Sequence, residues 1–357
     1  MSDPICKIDD IVFLRFTVQD LESQKEYLHH FGMRSAFEEN DTIYFKGTGP
    51  DPYCYIASKG DENKFVGTGY RVGSRKALES LAESFGVEIF TSSEPGGGEY
   101  VSITDPDGLV VEVYCGLNRS SIEASSVPRL NAGVEKTRDT NDLQRFGKAS
   151  DEWVVEEGEW KYQLTSKVFR LGHIAIVTEN PEESIAWYQN TLGFLISDNL
   201  LGPDGARLGA FMRADQGDKP VDHHIINITG AMDDRFAGTF GHGGFELTES
   251  VDDLMAGHYH MKTVDKYFHE WGVGRHLLGS QMYDYWRDPN GFTLEHWTDG
   301  DLLDASVAPE NVPAKNFVLA QYGPLVPSTF GLSMPSDEVS RYRENNPSFT
   351  EILKDFE

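Results

Sequence analysis

Hydrophobic and polar positions repeat along this chain in a fourfold pattern. Four times, a short apolar run typical of a strand precedes a stretch with apolar residues at helical spacing, such as SQKEYLHHFG and ESIAWYQNTLG. Each helical stretch is predicted to end at a glycine between two apolar residues, because glycine fits the left-handed position that closes a helix. The four predicted endings are Phe31-Gly32-Met33, Phe85-Gly86-Val87, Leu192-Gly193-Phe194 and Trp271-Gly272-Val273. The pattern therefore predicts four similar units arranged in two pairs.

A four-residue turn recurs in the second and fourth units. It reads Asp105-Pro106-Asp107-Gly108 in the second unit and Asp288-Pro289-Asn290-Gly291 in the fourth. In the fourth unit it joins two strand-like runs, and an odd-numbered hairpin loop around it would set Tyr285 directly opposite Glu295. Side chains alternate between the two faces of a strand. We therefore expect this phenol and this carboxylate to point into one cavity, with the His276 imidazole nearby.

Candidate metal ligands lie on strand-like runs of the second pair of units. His173 lies in the run LGHIAIV, and His242 lies in the run GHGGFEL. Two imidazoles and one carboxylate on neighbouring strands make the ligand set of a two-histidine, one-carboxylate iron site. His173, His242 and Glu295 are therefore the predicted ligands.

The first pair of units lacks this ligand set. Aligning LRFTV with HIAIV places Leu14 opposite His173, and aligning GTGYRV with HGGFEL places Gly67 opposite His242. Only Glu112 matches a predicted ligand, because it lies seven residues after Asp105 just as Glu295 lies seven residues after Asp288. We therefore predict that the first half of the chain binds no metal.

Composition narrows the classes of partner. The 357-residue chain carries 31 basic and 58 acidic residues, a net charge of −27. This negative charge argues against nucleic acid or an anionic membrane as a partner. No apolar stretch is long enough to span a membrane and no signal-peptide pattern follows Met1, so a cytoplasmic protein is predicted. Cys6, Cys54 and Cys115 are too few and too widely spaced to indicate a disulfide framework or a thiolate metal site.

The repeats divide the chain into four parts. They are an N-terminal domain without metal at residues 1–117, a connector at 118–165, a C-terminal metal-binding domain at 166–300 and a tail at 301–357. The connector is polar and charged, with room for a short helix. The tail is too irregular for another unit, and its aromatic residues Phe317, Tyr322 and Phe330 predict that it packs onto the domains.

The fourfold repeat together with the candidate ligands resembles the vicinal-oxygen-chelate superfamily, and within it the type I extradiol ring-cleaving dioxygenases. The resemblance covers roughly residues 8–300. The most specific part is the spacing of Gly274-Arg275-His276, Tyr285, Asp288-Pro289, Gly291 and Glu295. One position departs from the family, because Asp284 stands where an apolar residue usually precedes the tyrosine. The resemblance implies an α+β fold of four βαβββ modules paired into two cupped mixed-sheet domains, with the irregular tail outside them.

The resemblance also implies an activity. Members of this family open the ring of a catechol-type aromatic diol with O2 at a non-haem metal and release a muconic semialdehyde-type product. For this sequence Fe(II) is the expected ion, Mn(II) suits the same ligands, and those ligands are His173, His242 and Glu295. A homo-oligomeric enzyme of aromatic-hydrocarbon catabolism is the corresponding expectation.

Other residues match the family's catalytic and substrate-binding positions. In the pair His223-His224, the second histidine, His224, matches the acid–base residue. Tyr285 and His276 match residues that bind the substrate and take part in catalysis. Trp271 stands where homoprotocatechuate dioxygenases carry an arginine that reads a substrate carboxylate. An indole cannot pair with a carboxylate as a guanidinium does, which favours an uncharged diol or a larger one that stacks on Trp271.

Two other classes remain open. One is a different enzyme with two histidines and one glutamate, 4-hydroxyphenylpyruvate dioxygenase-like or glyoxalase-like, although neither type needs His276 together with Tyr285. The other is a non-catalytic protein that binds an aromatic ligand on the same fold, since fold does not determine function. Six further histidines match no motif and are assigned no role: His29, His30, His258, His260, His269 and His296.

Overall fold

Two large mixed sheets organise the protein. The computed structural model describes residues 3–121, 153–156, 159–162, 167–231, 234–247 and 251–346. One sheet has eight strands from the N-terminal half, and the other has ten strands from the C-terminal half and part of the tail. No helix within these residues is both long and apolar enough to cross a lipid bilayer.

The N-terminal sheet contains two consecutive βαβββ units. The first unit consists of β1 (Asp10–Val18), α1 (Leu21–His30), β2 (Arg34–Glu39), β3 (Thr42–Lys46) and β4 (Tyr55–Lys59). The second consists of β5 (Lys64–Val72), α2 (Arg75–Phe85), β6 (Phe90–Thr91), β7 (Glu99–Thr104) and β8 (Val110–Cys115). The strand order is β2-β3-β4-β1-β5-β8-β7-β6, so the first strands of the two units lie side by side.

The predicted connector is described only in part. Two strands, β9 (Trp153–Glu156) and β10 (Glu159–Tyr162), form an antiparallel pair. The short helix predicted in the connector lies outside the described residues.

The C-terminal sheet repeats the plan of the first. The third unit consists of β11 (Val168–Thr178), α3 (Pro181–Leu192), β12 (Leu195–Leu201), β13 (Arg207–Arg213), the short β14 (Val221–Asp222) and β15 (Ile226–Gly230). A 3-10 helix at Asp234–Phe236 leads to the fourth unit, which consists of β16 (Thr239–Leu247), α4 (Val251–Val264), β17 (Phe268–His276), β18 (Met282–Arg287) and β19 (Thr293–Thr298). The tail adds β20 (Leu302–Leu303), β21 (Glu310–Pro313), a 3-10 helix (Ala314–Val318), β22 (Ala320–Tyr322) and α5 (Ser336–Asn345).

The order of the ten strands shows how the repeats combine. It is β21-β12-β13-β15-β11-β16-β19-β18-β17-β22, with a tail strand at each edge. In both sheets the first strands of two units are antiparallel neighbours, β1 with β5 and β11 with β16. The predicted α+β arrangement of four βαβββ modules is confirmed, and we propose that each sheet is the core of one domain.

Three of the four unit helices are followed by a glycine with positive φ, as predicted. Gly86 and Gly193 close α2 and α3 with φ of 65° and 73°, and each N–H bonds back to the last turn. The prediction for the fourth unit is wrong, because Trp271-Gly272-Val273 lies within β17 and α4 already ends at Val264. Asp265 takes the left-handed position there, with φ of 51°, which a short polar side chain tolerates.

The recurring turn closes the hairpin of β18 and β19. The N–H of Asp288 donates to the carbonyl of Phe292 at 2.9 Å, and the Asp288 carboxylate accepts hydrogen bonds from the N–H groups of Asn290 and Phe292. These bonds hold the odd-numbered loop that the sequence predicts. The resulting register pairs Tyr285 with Glu295, as predicted.

The tail packs onto the C-terminal sheet at this turn. Val326, Phe330 and Met334 are buried. The fully buried Arg287 ties the tail to the hairpin, because its guanidinium donates to the Met334 carbonyl at 3.1 Å. Tyr322 departs from the predicted packing, since it is 52% exposed at the edge of the sheet.

Two equivalent turn glycines provide a test of this packing. Gly108 and Gly291 have φ of 85° and 91°, so alanine is strained to a similar degree at either position. A Cβ at Gly108 would have no atom within 4 Å, whereas a Cβ at Gly291 would lie 2.6 Å from the backbone of Met334. We expect Gly291→Ala to lower the free energy of unfolding by about 1–3 kcal/mol more than Gly108→Ala, as measured by urea denaturation. Equal losses would contradict the described contact between the tail and the turn.

Candidate metal centre

Three neighbouring strands bring the predicted ligands together. His173 lies on β11, His242 on β16 and Glu295 on β19. Gly244 of β16 is paired with both His173 and Glu295. A Cβ on Gly244 would lie 2.1 Å from Cε1 of His173, so this glycine provides the space that the imidazole occupies. Sequence reasoning missed this role, although the two consecutive glycines after His242 mark the place.

The donor atoms of these side chains converge in a buried space. Nε2 of His173 lies 3.2 Å from Nε2 of His242 and 2.8 Å from Oε2 of Glu295. Nε2 of His242 lies 3.6 Å from the same oxygen. All three side chains are buried. Despite the short distances, neither Glu295 oxygen and neither Nδ1 atom has an aligned hydrogen-bond partner among the described residues.

A divalent metal ion fits this donor set. When the facing Nε2 atoms carry no proton, their lone pairs and the carboxylate repel one another at such separations, and a cation between them removes the repulsion. Burial alone would raise the pKa of Glu295, but the imidazoles of His173, His276 and His242 hold it well below its usual range. Burial lowers the pKa of His242 to about 3, against the opposing effect of Glu295. An ionised carboxylate and a neutral imidazole are the protonation states that bind a metal.

Tyr285 and His276 extend the site along the neighbouring strands. Nε2 of His276 lies 2.9 Å from the Tyr285 hydroxyl and 3.8 Å from Oε1 of Glu295. Burial, reinforced by the Glu295 carboxylate, raises the pKa of Tyr285 well above its ordinary value. The side chain is therefore a neutral phenol, which can donate one hydrogen bond within the site.

The pair His223-His224 lies beside the ligands and is supported by Asp198. The ring centroids of His224 and His173 are 4.4 Å apart. The Nδ1 atoms of His223 and His224 are 3.2 Å apart, and Nε2 of His223 lies 2.8 Å from Oδ2 of Asp198. Burial, followed by the effect of the His173 imidazole, lowers the pKa of His224 well below its usual range. Sequence reasoning missed Asp198, because no motif marks its position on β12.

Most of these groups line a small cavity, and the empty space in and around it, including solvent at its mouth, is about 350 Å³. Its polar side chains include His173, His224, His242, His276 and Tyr285. The remaining lining residues are uncharged: Phe211, Leu278, Gln281, Phe317 and Phe330. Phe317 and Phe330 belong to the tail, where the sequence predicted inward packing without indicating a contact with the site. The other three carry no motif, and only the fold brings them here.

Trp271 does not line this cavity, although the sequence predicts that it binds substrate. It is 3% exposed, and its indole N–H donates to the carbonyl of Pro324 at 2.9 Å. Its ring stacks on Tyr285 at 5.5 Å and packs edge-on against Phe330 at 4.9 Å. The tail carbonyl therefore holds the indole behind two lining residues, and a direct contact with substrate stays a prediction.

In the N-terminal sheet, the position of His173 is taken by Phe13. Phe13 pairs with Gly69, and Gly69 in turn pairs with Glu112. In the C-terminal sheet, His173 pairs with Gly244 and Gly244 with Glu295 in the same way. The predicted counterpart, Leu14, is therefore wrong by one residue. Both Phe13 and Leu14 are fully buried, so the apolar run of β1 does not show which residue faces which side.

An arginine occupies the N-terminal counterpart of the metal centre. Gly67 precedes Gly69 by two residues on β5, just as His242 precedes Gly244 by two residues on β16. Gly67 is therefore the counterpart of His242, as the sequence predicts. Nη2 of Arg15 lies 2.8 Å from Oε2 of Glu112, and Nη1 lies 3.0 Å from Oε1 of Glu94. The guanidinium therefore supplies the positive charge that a carboxylate in this place requires.

Comparisons with known proteins agree with this architecture. A family profile described as Glyoxalase/Bleomycin resistance protein/Dioxygenase superfamily matches residues 170–296. Metapyrocatechase 2 of Cupriavidus necator is 30% identical over 320 residues, which cover 88% of this chain and 88% of that protein. A manganese-dependent 2,3-dihydroxybiphenyl 1,2-dioxygenase of Geobacillus genomosp. 3 is 22% identical, over 76% of this chain and 79% of that protein. The structure of homoprotocatechuate 2,3-dioxygenase from Brevibacterium fuscum superposes with a TM-score of 0.68 at 17% identity, over 92% of this chain and 94% of that one.

The equivalent acids Glu295 and Glu112 test whether one half alone binds metal. Glu295→Ala removes the charged donor from its two imidazoles, so we expect the purified variant to lose its metal. Glu112→Ala should retain the metal, because Arg15 still pairs with Glu94, at a stability cost of about 1.5–3 kcal/mol for the lost charge-assisted bond. Elemental analysis of both variants measures the difference. Equal loss of metal would mean that the two halves share one centre.

Proposed function

This chain belongs to the glyoxalase/bleomycin resistance protein/dioxygenase superfamily, and we propose that it is an extradiol dioxygenase, which opens the ring of a catechol-type diol with O2. The proposal rests on the convergence of two imidazoles and one carboxylate beside a cavity that also contains two further histidines and a tyrosine. The similarity to Metapyrocatechase 2 over most of both chains supports it. The expected product is of the muconic semialdehyde type.

His173, His242 and Glu295 are the side chains that would hold the metal ion. When bound, a non-haem Fe(II) supplies the positive charge that acidifies the diol hydroxyls and a binding place for O2 beside the ring. Mn(II) suits the same donors, and one of the relatives is named as manganese-dependent. The ligands come from three adjacent strands at the cavity wall, so the chain leaves the cavity itself for the substrate.

His224 is the group that accepts and returns a proton. Its low pKa leaves a neutral imidazole near pH 7, which is the form that can take a proton from a diol hydroxyl. Since its Nδ1 is next to His223, its Nε2 is the nitrogen that remains for the substrate. His223 and Asp198 then orient the ring and stabilise the imidazolium that proton transfer forms, because the carboxylate lies 2.8 Å from His223.

Tyr285 and His276 position the substrate oxygens. The Tyr285 phenol stays protonated, so it can donate a hydrogen bond to a diol oxygen or to negative charge that develops there. His276, at 2.9 Å from the hydroxyl, fixes its orientation. The other enzyme classes that the sequence left open do not need this pair, and both residues line the cavity, which favours ring cleavage.

The lining of the cavity favours an uncharged substrate. None of its lining residues is an arginine, lysine, aspartate or glutamate. Three phenylalanines and Leu278 instead provide apolar contact for a hydrocarbon substituent. We therefore propose an alkyl- or aryl-substituted catechol over a carboxylated one. A homo-oligomeric enzyme in the cytoplasm stays a prediction from the family resemblance.

A pair of histidine variants tests the chemistry. The metal-loaded protein should bind catechol without oxygen and form a yellow product when O2 is admitted. His224→Phe keeps a ring against His173 but offers no nitrogen, so it should retain metal and catechol and lose about 10²-fold or more in kcat. Stopped-flow absorbance after anaerobic mixing measures both steps.

His223→Phe is the matched control for that experiment. It leaves the His224 imidazole in place and removes only its link to Asp198, so its loss of kcat should be the smaller of the two. If His223→Phe abolishes turnover while His224→Phe stays active, the acid–base role moves by one residue. Absence of a yellow product from both the iron-loaded and the manganese-loaded protein, across substituted catechols, would refute the proposed activity.

Two substrates that differ in one charge test the specificity. 4-Methylcatechol should give a kcat/KM at least about 10-fold above that of 3,4-dihydroxyphenylacetate, because the carboxylate would lose its hydration without gaining a partner. Leu278→Arg adds a guanidinium to the cavity wall and should narrow this ratio. Steady-state oxygen uptake measures both constants. A wild-type preference for the carboxylated diol would contradict the proposed substrate class.

A further inference from the structure

A second group of two histidines and one carboxylate lies behind the strand that carries Tyr285. Asp284 precedes Tyr285 on β18, and successive side chains of a strand point to opposite faces. His258 of α4 and His269 of β17 meet Asp284 on this second face. Asp284 is also the position where the sequence departs from the family pattern, so the resemblance offers no explanation for the group.

Both imidazoles face the same carboxylate. Nε2 of His269 lies 2.7 Å from Oδ1 of Asp284, and Nδ1 of His258 lies 3.1 Å from each of its two oxygens. Oδ2 accepts a hydrogen bond from the indole N–H of Trp286 at 2.6 Å, which fixes the plane of the carboxylate. One donor atom from each of the three side chains lies within 4.8 Å of the others. A single small cation can therefore reach all three.

The charge on Asp284 needs a partner. The carboxylate is fully buried, and among the described residues its ion-pair partners are the two imidazoles, with no lysine or arginine. Burial would raise the pKa of Asp284, but the hydrogen bonds from His258 and His269 keep it below its ordinary value. An ionised carboxylate in the interior is costly without positive charge, and a bound divalent cation supplies that charge.

The group has the composition of the first metal centre but is more accessible. The His258 and His269 side chains are 14% and 18% exposed, so a water molecule can complete the coordination of an ion. Two imidazoles, one carboxylate and one water match the tetrahedral preference of zinc. In the usual order of affinities, zinc also binds such nitrogen and oxygen donors more tightly than manganese or ferrous iron.

We propose that His258, His269 and Asp284 form a second divalent-cation site, here called the rear site, which binds Zn(II) or a similar first-row ion. The ion joins α4 to β17 and β18, and β18 carries Tyr285 on its opposite face. Its role is structural, because it fixes the strand that positions the phenol. The proposal does not rest on the proposed function, since the rear-site residues are separate from the ligands of the first centre.

Zinc stoichiometry tests the rear site. The full chain, stripped of metal by a chelator and titrated with ZnCl2 in a calorimeter, should bind about two ions, one for each ligand group. His258→Gln and His269→Gln keep a hydrogen-bonding side chain but remove the ligand nitrogen, so each should bind about one ion. His260→Gln is the matched control on the same helix, and it should bind as many ions as the wild type.

The first centre provides the complementary control. His242→Asn should retain the rear-site ion, and zinc should raise its Tm but not that of the double variant His242→Asn/His258→Gln. If both rear-site variants bind as many zinc ions as the wild type, or if His242→Asn binds none, the three residues form only a hydrogen-bonded group. Zinc uptake is measured without diol or O2, so failure of the proposed ring cleavage cannot produce either result. Circular dichroism of each variant verifies the fold before titration.

Discussion

The C-terminal half depends on one electrostatic constraint, because three electron-pair donors must stay together in a buried space. The nitrogen of His173 is 2.8 Å from a carboxylate oxygen of Glu295, and that carboxylate is fully buried. Neutral imidazoles and a carboxylate gain little from one another at such separations, so the backbone has to hold them together. The pairing of β11 with β16 and of β16 with β19 does this, and Gly244 leaves room for the imidazole between them. The tight geometry is thus a property of sheet register.

In the N-terminal half, the positive charge beside the equivalent carboxylate comes from an arginine side chain. Its carboxylate, Glu112, lies against the Arg15 guanidinium, and Phe13 replaces an imidazole with a ring that has no lone pair. The two halves share a backbone plan but differ in the source of positive charge. Arg15 supplies the counter-charge in one half, whereas in the other half we propose that a bound metal ion supplies it. A duplicated module can therefore keep its fold while its two copies surround the buried carboxylate with different side chains.

Local patterns in the sequence predict the modules and the three donors, because strand alternation and the recurring turn determine which side chains share a face. The pairing of Tyr285 with Glu295 follows from that rule alone. The errors arise where the pattern of apolar and polar residues does not alternate or where the expected end signal is missing. β1 is apolar at consecutive positions, so its pattern does not distinguish Phe13 from Leu14. Helix α4 ends at Val264 and is followed by Asp265 where a glycine was expected. Asp198 and the tail residues of the cavity reach the site by tertiary contacts between distant segments, which no spacing along the chain encodes.

The tail completes the cavity with residues that come last in the chain. Phe317 and Phe330 follow the last module, whereas Glu295, the final donor, lies inside it. Because a ribosome makes the chain from its N-terminus, all three donors emerge before these two tail aromatics. The fourth module can therefore pair its strands before the tail is available to pack on it. The order of segments along the gene thus places the donor group before the tail aromatics that complete its cavity.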